Sequence, residues 1–128
     1  MKRVFKTRHF SRWMRKAELT DAILCKAIAE MQTGLIDADL GGGVVKKRVG
    51  LAGRGKRGGA RTLLATNKGS RWFFVFGFEK NQRDNISEAE LQALQDVAAD
   101  LLSRTAQQLN AAVTDGTLQE ICHAQNQS

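Results

Sequence analysis

Nine basic side chains stand between Asp39 and Glu79 without one intervening acid. Like charges gathered in this way repel one another unless a polyanion or an acidic partner neutralises them. Arginine and lysine are also the side chains that bind phosphate, the first through a planar fork and the second as a point charge. The segment therefore favours a nucleic-acid site, with a solvated sheet face as the alternative. The nine are Lys46, Lys47, Arg48, Arg54, Lys56, Arg57, Arg61, Lys68 and Arg71.

The glycine-rich stretch GRGKRGGARTLL, residues 53–64, formally matches the dinucleotide fingerprint G-x-G-x-x-G. That fingerprint needs a helix after its last glycine and an acid on the ribose about 20 residues later. A leucine-rich strand follows here, no acid occurs before Glu79, and no Walker A sequence is present. A nucleotide cofactor is therefore not predicted. We expect a flexible loop. Its glycines let the backbone approach a phosphate closely and leave Arg54, Lys56 and Arg57 free to move.

Hydrophobic periodicity predicts the elements that position these cations. The first helix ends at Lys16, a second begins at Thr20 or Asp21, and a third is capped by Ser87 with Glu90 as a capping box. The tail from 106 is predicted to continue as helix, then as a strand or docking segment after Gly116. This order gives an α+β domain with two N-terminal helices and a C-terminal helix on a twisted, mainly antiparallel sheet. The predicted strands cover 2–7, 44–51, 60–66 and 71–78.

Side-chain alternation along these strands sorts the cations by face. Val45 and Val49 are predicted to face the core with Lys47 between them, so Lys46 and Arg48 share the opposite face. An arginine is almost never buried without a partner, so Arg61 is expected to project from the start of its strand into a cleft. The stretch after the last strand, GFEKNQRDN, adds Lys80 and Arg83. We expect these cations to converge on one concave surface.

The 128 residues suffice for one hydrophobic core, and no apolar run is long enough to span a membrane. The N-terminal MKRVFKTRHF lacks the apolar stretch of a secretory signal, so a cytoplasmic location is expected. The two cysteines, Cys25 and Cys122, lie far apart without a CxxC spacing. We therefore predict neither a disulfide nor a metal site, and no cofactor.

The strings VVKKRV, GRGKRGGARTLLA and FGFEKNQRDNI, taken with the order of segments, resemble the RelE/HigB family of bacterial type II toxins. The resemblance covers about residues 2 to 104. It implies a RelE-like toxin domain over 1–104, followed by a C-terminal extension over 105–128. It also implies cleavage of messenger RNA in the ribosomal decoding site and neutralisation by a cognate antitoxin. The toxin–antitoxin complex is then expected to bind operator DNA through the antitoxin.

The same resemblance assigns roles to individual residues. Lys46 and Arg48 match the family's basic pair, Arg61 its arginine after the glycines, and Lys80 its basic position after the last strand. Without a metal, RNA cleavage needs a base, an acid and cationic donors for the phosphorane. The lysines suit acid and base roles, and the arginines suit clamping of the transition state. The residues expected to bind RNA without chemistry are Lys47, Arg54, Lys56, Arg57, Lys68, Arg71 and Arg83.

One departure from the family pattern leaves other functions open. Better-studied members place a tyrosine after the last strand, whereas the chain has no tyrosine and the nearby position is Ser87. A non-catalytic RNA-binding protein is one alternative, and a ParE-like inhibitor of DNA gyrase is another. The presence of the basic residues Lys46, Arg48, Arg61 and Lys80 argues against the gyrase inhibitor. For Lys47 and Arg71 a solvated strand face is the alternative to RNA binding.

Overall fold

The computed structural model describes residues 2–51 and 55–122, and at residues 55–58 it describes the backbone alone. The described elements follow one another as β1 (Arg3–Thr7), α1 (Arg8–Lys16), α2 (Asp21–Gln32), β2 (Ala38–Gly41), β3 (Val44–Leu51), β4 (Gly55–Thr66), β5 (Arg71–Glu79), α3 (Glu88–Ser103), α4 (Ala106–Asp115) and β6 (Leu118–Ile121). No helix in the described ranges is long and apolar enough to cross a membrane.

The strands form one sheet in the order β2-β3-β4-β5-β1-β6. Every neighbouring pair is antiparallel except β1 and β5, which run parallel. Helices α1 and α2 pack on one face around Phe10, Leu24 and Trp72, and helices α3 and α4 pack on the other around Phe73 and Leu109. The α+β architecture expected from the sequence is confirmed. Because both faces are covered, adjacent residues along β4 and β5 are buried in succession, which hides the alternation typical of a half-exposed strand.

Helix caps place the helices where the sequence indicated. Thr7 and Thr20 accept backbone N–H groups at the starts of α1 and α2, and Ser87 forms the predicted capping box with Glu90. Gly116 ends α4 in the left-handed conformation, with φ of 85°. The side chains of Thr7, Thr20 and Ser87 satisfy backbone donors that the first turn of a helix leaves unpaired.

Two strand predictions are wrong. The four predicted strands do not include the segment after α2, but this segment contains β2, which joins β3 through Gly42 and Gly43 with φ of 61° and 83°. Two successive positive φ values fit a two-residue hairpin turn, in which glycine costs no strain. The glycine-rich stretch was expected to remain a loop up to residue 59, but β4 already begins at Gly55, where the backbone pairs with Leu51. The glycine-rich loop is thus shorter than predicted.

The cysteine prediction is also wrong. Cys25 in α2 and Cys122 directly after β6 are joined by a disulfide, with their Cα atoms 5.5 Å apart. Their separation of 97 residues concealed the contact, because it arises only when β6 pairs with β1 beside the helical layer that contains α2. The bridge ties the last described strand to the second helix.

Candidate active site

The pairing of β3 with β4 brings three of the predicted catalytic cations to one face of the sheet. Arg48 lies directly opposite Arg61, and Lys46 lies opposite Leu63. Directly opposed residues point to the same side, with Cβ atoms about 5 Å apart, and diagonal neighbours are about 7 Å apart. Leu63 packs in the core under α3 and α4, so all three cations belong to that face. This convergence follows the alternation read from the sequence.

Arg61 is the most unusual of these residues. It is only 8% exposed, and its Nη1 atom is buried without a hydrogen-bond partner among the described residues. Cross-strand neighbours flank it, with Arg48 on one side and Phe78 on the other. The expectation that Arg61 stands at the start of its strand is wrong, because β4 begins six residues earlier. Its guanidinium retains a free donor, which is the group that a phosphate oxygen accepts from.

Arg48 is exposed but restrained by an acid that the sequence analysis did not single out. Its Nε lies 3.2 Å from Asp37 Oδ1, and its backbone N–H donates to Asp37 Oδ2 at 2.7 Å. Asp37 stands immediately before β2, so it reaches β3 only because the missed hairpin forms. The pair fixes the backbone of β3 at the site and neutralises part of the charge of Arg48.

The two lysines differ in exposure. Lys46 is half-buried and Lys80 is exposed, and neither forms an ion pair with a residue in the described ranges. The backbone N–H of Lys80 donates to Gly59 O at 3.2 Å, which keeps Lys80 beside β4, two residues before Arg61. Both ammonium groups therefore remain available to a ligand, Lys46 on one side of Arg61 along the strands and Lys80 on the other.

Arg83 closes the site on the side of β5. Its guanidinium carbon lies 5.4 Å from the ring centre of Phe78 and 6.0 Å from that of Phe76, a cation–π geometry. The same group pairs with the carboxylate of Glu90 in the first turn of α3, with one N···O distance of 3.0 Å. Hydrogen bonds from Arg83 and from the Ser87 backbone lower the pKa of Glu90 to about 2. Arg83 is thus held in place at the edge of the site, and its charge is paired with that of Glu90.

Three cations predicted to bind RNA are placed elsewhere. Lys47 is buried on the face covered by α1 and α2, where its Nζ bonds Glu30 at 2.9 Å and Leu35 O at 2.8 Å. Lys68 pairs with Asp39, and Arg71 donates to Arg104 O. Lys68 and Arg71 follow the end of β4 at Thr66. Thr66 is about 17 Å from Arg61 along the strand at the usual rise per residue.

The remaining predicted cations are not described. Arg54 and the side chains of Lys56 and Arg57 lie outside the described residues. Within residues 2–51 and 55–122, no group of three or more His, Cys, Asp and Glu side chains is placed to hold a metal ion.

A histidine that the residue spacing in the sequence did not single out, His9, borders the site. His9 in the first turn of α1 stacks on Phe76, with ring centres 5.8 Å apart and planes inclined by 4°. Phe76 lies opposite Leu63, in the row of residues that begins with Lys46. The helical spacing of α1 predicted only its buried side, so nothing in the sequence linked His9 to β5.

Ser87, which the sequence analysis placed near the family's tyrosine position, has a structural role. Its hydroxyl accepts a hydrogen bond from the backbone N–H of Glu90 at 3.1 Å, which begins α3. The described site accordingly presents no phenol, and its proton donors and acceptors must come from other groups.

A comparison with protein families identifies the family of this chain. The model described as "RelE toxin of RelE / RelB toxin-antitoxin system" matches residues 2–121. The chain belongs to the RelE toxin family, and it is a toxin of a toxin–antitoxin system. No curated protein matches the chain significantly. The family match includes α4 and β6, and β6 completes the sheet beside β1.

Proposed function

We propose that the protein is a ribosome-dependent endoribonuclease that cleaves messenger RNA during translation and is neutralised by a cognate antitoxin. Membership of the RelE family supports the class of activity, since RelE toxins are generally endoribonucleases. The observation that carries the proposal is the buried guanidinium of Arg61, which keeps a donor without a partner among the described residues. Burial of such a group costs stability, and a cost of this kind is typical of functional sites.

The reaction uses the RNA's own 2′-hydroxyl as nucleophile. A base removes the 2′ proton, the 2′ oxygen bonds to the adjacent phosphorus, and the bond from phosphorus to the 5′ oxygen breaks. An acid returns a proton to that 5′ oxygen, so the products are a 2′,3′-cyclic phosphate and a 5′-hydroxyl. Lys46 and Lys80 flank the site and take the acid and base roles. Arg61 donates to the phosphorane oxygens, and Arg48 supports it from the neighbouring strand.

The antitoxin is the proposed physiological partner, together with the ribosome and messenger RNA. An acidic antitoxin segment that folds on binding would complement the basic face electrostatically. Operator binding by the complex would then depend on the antitoxin. Because its substrate is a translated message, the toxin is proposed to act in the cytoplasm.

The test is inducible expression in a bacterium, followed by mapping of messenger RNA 5′ ends on a reporter with and without its start codon. Cuts confined to the translated reporter are expected with the wild-type chain. Arg61→Ala should lower cleavage by about 100- to 1000-fold, as expected for one transition-state donor. Lys26→Ala, an exposed change on α2, is the matched control and should cleave normally.

Three results would contradict the proposal. Growth arrest without cuts on translated RNA would indicate another target such as gyrase. No arrest at all would favour a non-catalytic RNA-binding protein. Full cleavage by Arg61→Ala would remove Arg61 from the site even if the activity itself were present.

A further inference from the structure

Helix α1 carries a second basic surface, separate from the cations on β3 and β4. Phe10 and Met14 are buried in the core, and the opposite side of the helix exposes four cations. We call these four, Arg8, Arg12, Arg15 and Lys16, the α1 basic face. None of them forms an ion pair with a residue in the described part of the chain, and α1 itself contains no acid.

The spacing of the α1 basic face suits an extended polyanion. Its members stand three, four or one residue apart along the helix, so they occupy one side. At 1.5 Å per residue the row from Arg8 to Lys16 extends about 12 Å. Three of the four are arginines, whose forks fit phosphate oxygens and are weakly hydrated. A row of unpaired cations on a rigid helix is an electrostatic footprint for a nucleic-acid backbone.

The burial of the apolar side of α1 argues against a membrane as the partner. A cationic helix binds a lipid surface by inserting its apolar side. In α1 that side is already used, since Phe10 is fully buried and the Trp13 ring packs against Gly77 of β5. The helix therefore offers charge alone, which is sufficient for phosphates but insufficient for insertion.

The α1 basic face is continuous with the proposed RNA site. His9, next to Arg8, stacks on Phe76, and the Arg83 guanidinium lies over the same ring. Phe76 shares its row across the sheet with Lys46. Phe76 and His9 therefore lie between the cations of β3 and the α1 basic face.

We propose that the α1 basic face binds the phosphate backbone of ribosomal RNA and so holds the toxin on the ribosome, apart from the cleavage step. The inference rests on the proposed function for its choice of ribosomal RNA as the partner. It assigns α1 a binding role, and it leaves the chemistry to the residues on β3, β4 and the end of β5.

The test measures binding and cleavage separately with the full chain and purified bacterial 70S ribosomes. The variant Arg12→Gln/Arg15→Gln removes two exposed charges, and Arg8 is left intact because it also acts electrostatically on Asp115. Lys2→Gln/Lys26→Gln removes the same charge from outside α1 and is the matched control. Arg12→Lys/Arg15→Lys keeps the charge, and equal melting temperatures show that all variants fold.

The glutamine variant of α1 should bind ribosomes more weakly, and its plot of log affinity against log salt should be shallower by about 1.5. In cleavage of translated messenger RNA its KM should rise while kcat stays unchanged. The lysine variant should retain most of the affinity, and the Lys2/Lys26 control should bind as the wild type does.

Equal ribosome affinity and salt dependence for the wild type and the glutamine variant would overturn the inference. So would an equal loss in the Lys2/Lys26 control, because net charge alone would then explain binding. Weaker binding of polyglutamate with unchanged binding of ribosomes would assign the α1 basic face to an acidic protein instead. If the wild type binds ribosomes through α1 but cuts no RNA, the proposed nuclease function fails while the surface stands.

Discussion

Replacement of Arg61 by methionine should stabilise the protein while it abolishes RNA cleavage. The guanidinium is 8% exposed, and its Nη1 has no hydrogen-bond partner among the described residues. A buried unsatisfied polar group costs about 1 to 3 kcal/mol of folding free energy. Methionine keeps an unbranched stem in the same space and removes that cost, along with the repulsion from Arg48 directly opposite.

The expected gain can be expressed as a melting temperature. Unfolding entropies near 2.1 cal/mol/K per residue imply that 1 kcal/mol shifts the transition of a 128-residue domain by about 4 °C. Arg61→Met should therefore melt about 4 to 11 °C higher than the wild type in calorimetry. Cleavage of translated messenger RNA should fall at least as far as for Arg61→Ala, because both variants lack the donor.

Arg48→Met is the matched control, since Arg48 faces Arg61 but is exposed and paired with Asp37. Loss of an exposed ion pair changes stability by at most about 1 kcal/mol, so no comparable rise is expected. A fall in the melting temperature of Arg61→Met would refute the reasoning, because the guanidinium would then be stabilising the fold. Higher stability with full activity would separate the buried cation from catalysis.

Three further predictions concern stability. Reduction of the disulfide, or replacement of both cysteines by alanine, should lower the free energy of unfolding by up to about 4.7 kcal/mol, the chain-entropy value for its 97-residue separation; denaturant titration with and without reductant measures it. Arg83 lowers the pKa of Glu90 to about 2, so the contribution of this ion pair to folding stability should be complete above about pH 5 and lost as the pH falls to 2. NMR titration of the Glu90 carboxyl should show a higher pKa in Arg83→Gln. Gly77→Ala should destabilise by about 1 to 3 kcal/mol in urea unfolding, because its Cβ would lie 2.3 Å from the Trp13 ring, whereas unchanged stability would mean that the ring moves freely.

The sequence predicts the helices of this chain well, because their signals are local. The caps at Thr20 and Ser87 need only a few neighbouring residues to be recognised, and both are present. The strands were harder, since β2 and the first residues of β4 are short of β-branched side chains and rich in glycine. Their strand conformation comes from pairing with β3, which no local pattern records.

The site divides in the same way. Period-two alternation correctly places Lys46 and Arg48 on one face of β3, because it depends on a single strand. The ion pairs that restrain Arg48 and Arg83 could not be predicted, since Asp37 and Glu90 come from other elements. Alternation also places Lys47 on the side of Val45 and Val49, but its ion pair could not be predicted, because Glu30 comes from α2.

The position of β1 constrains the order in which the domain can assemble. Residues 3–7 pair with β5 on one side and with β6 on the other, so both neighbours of β1 come much later in the chain. Closing such distant contacts is entropically expensive and slows folding. While a ribosome synthesises this chain, the β3–β4 hairpin that holds Arg48 and Arg61 can form early, but the sheet stays incomplete until residue 121 has emerged. A nascent copy therefore holds the strands of its candidate site before it holds a complete sheet.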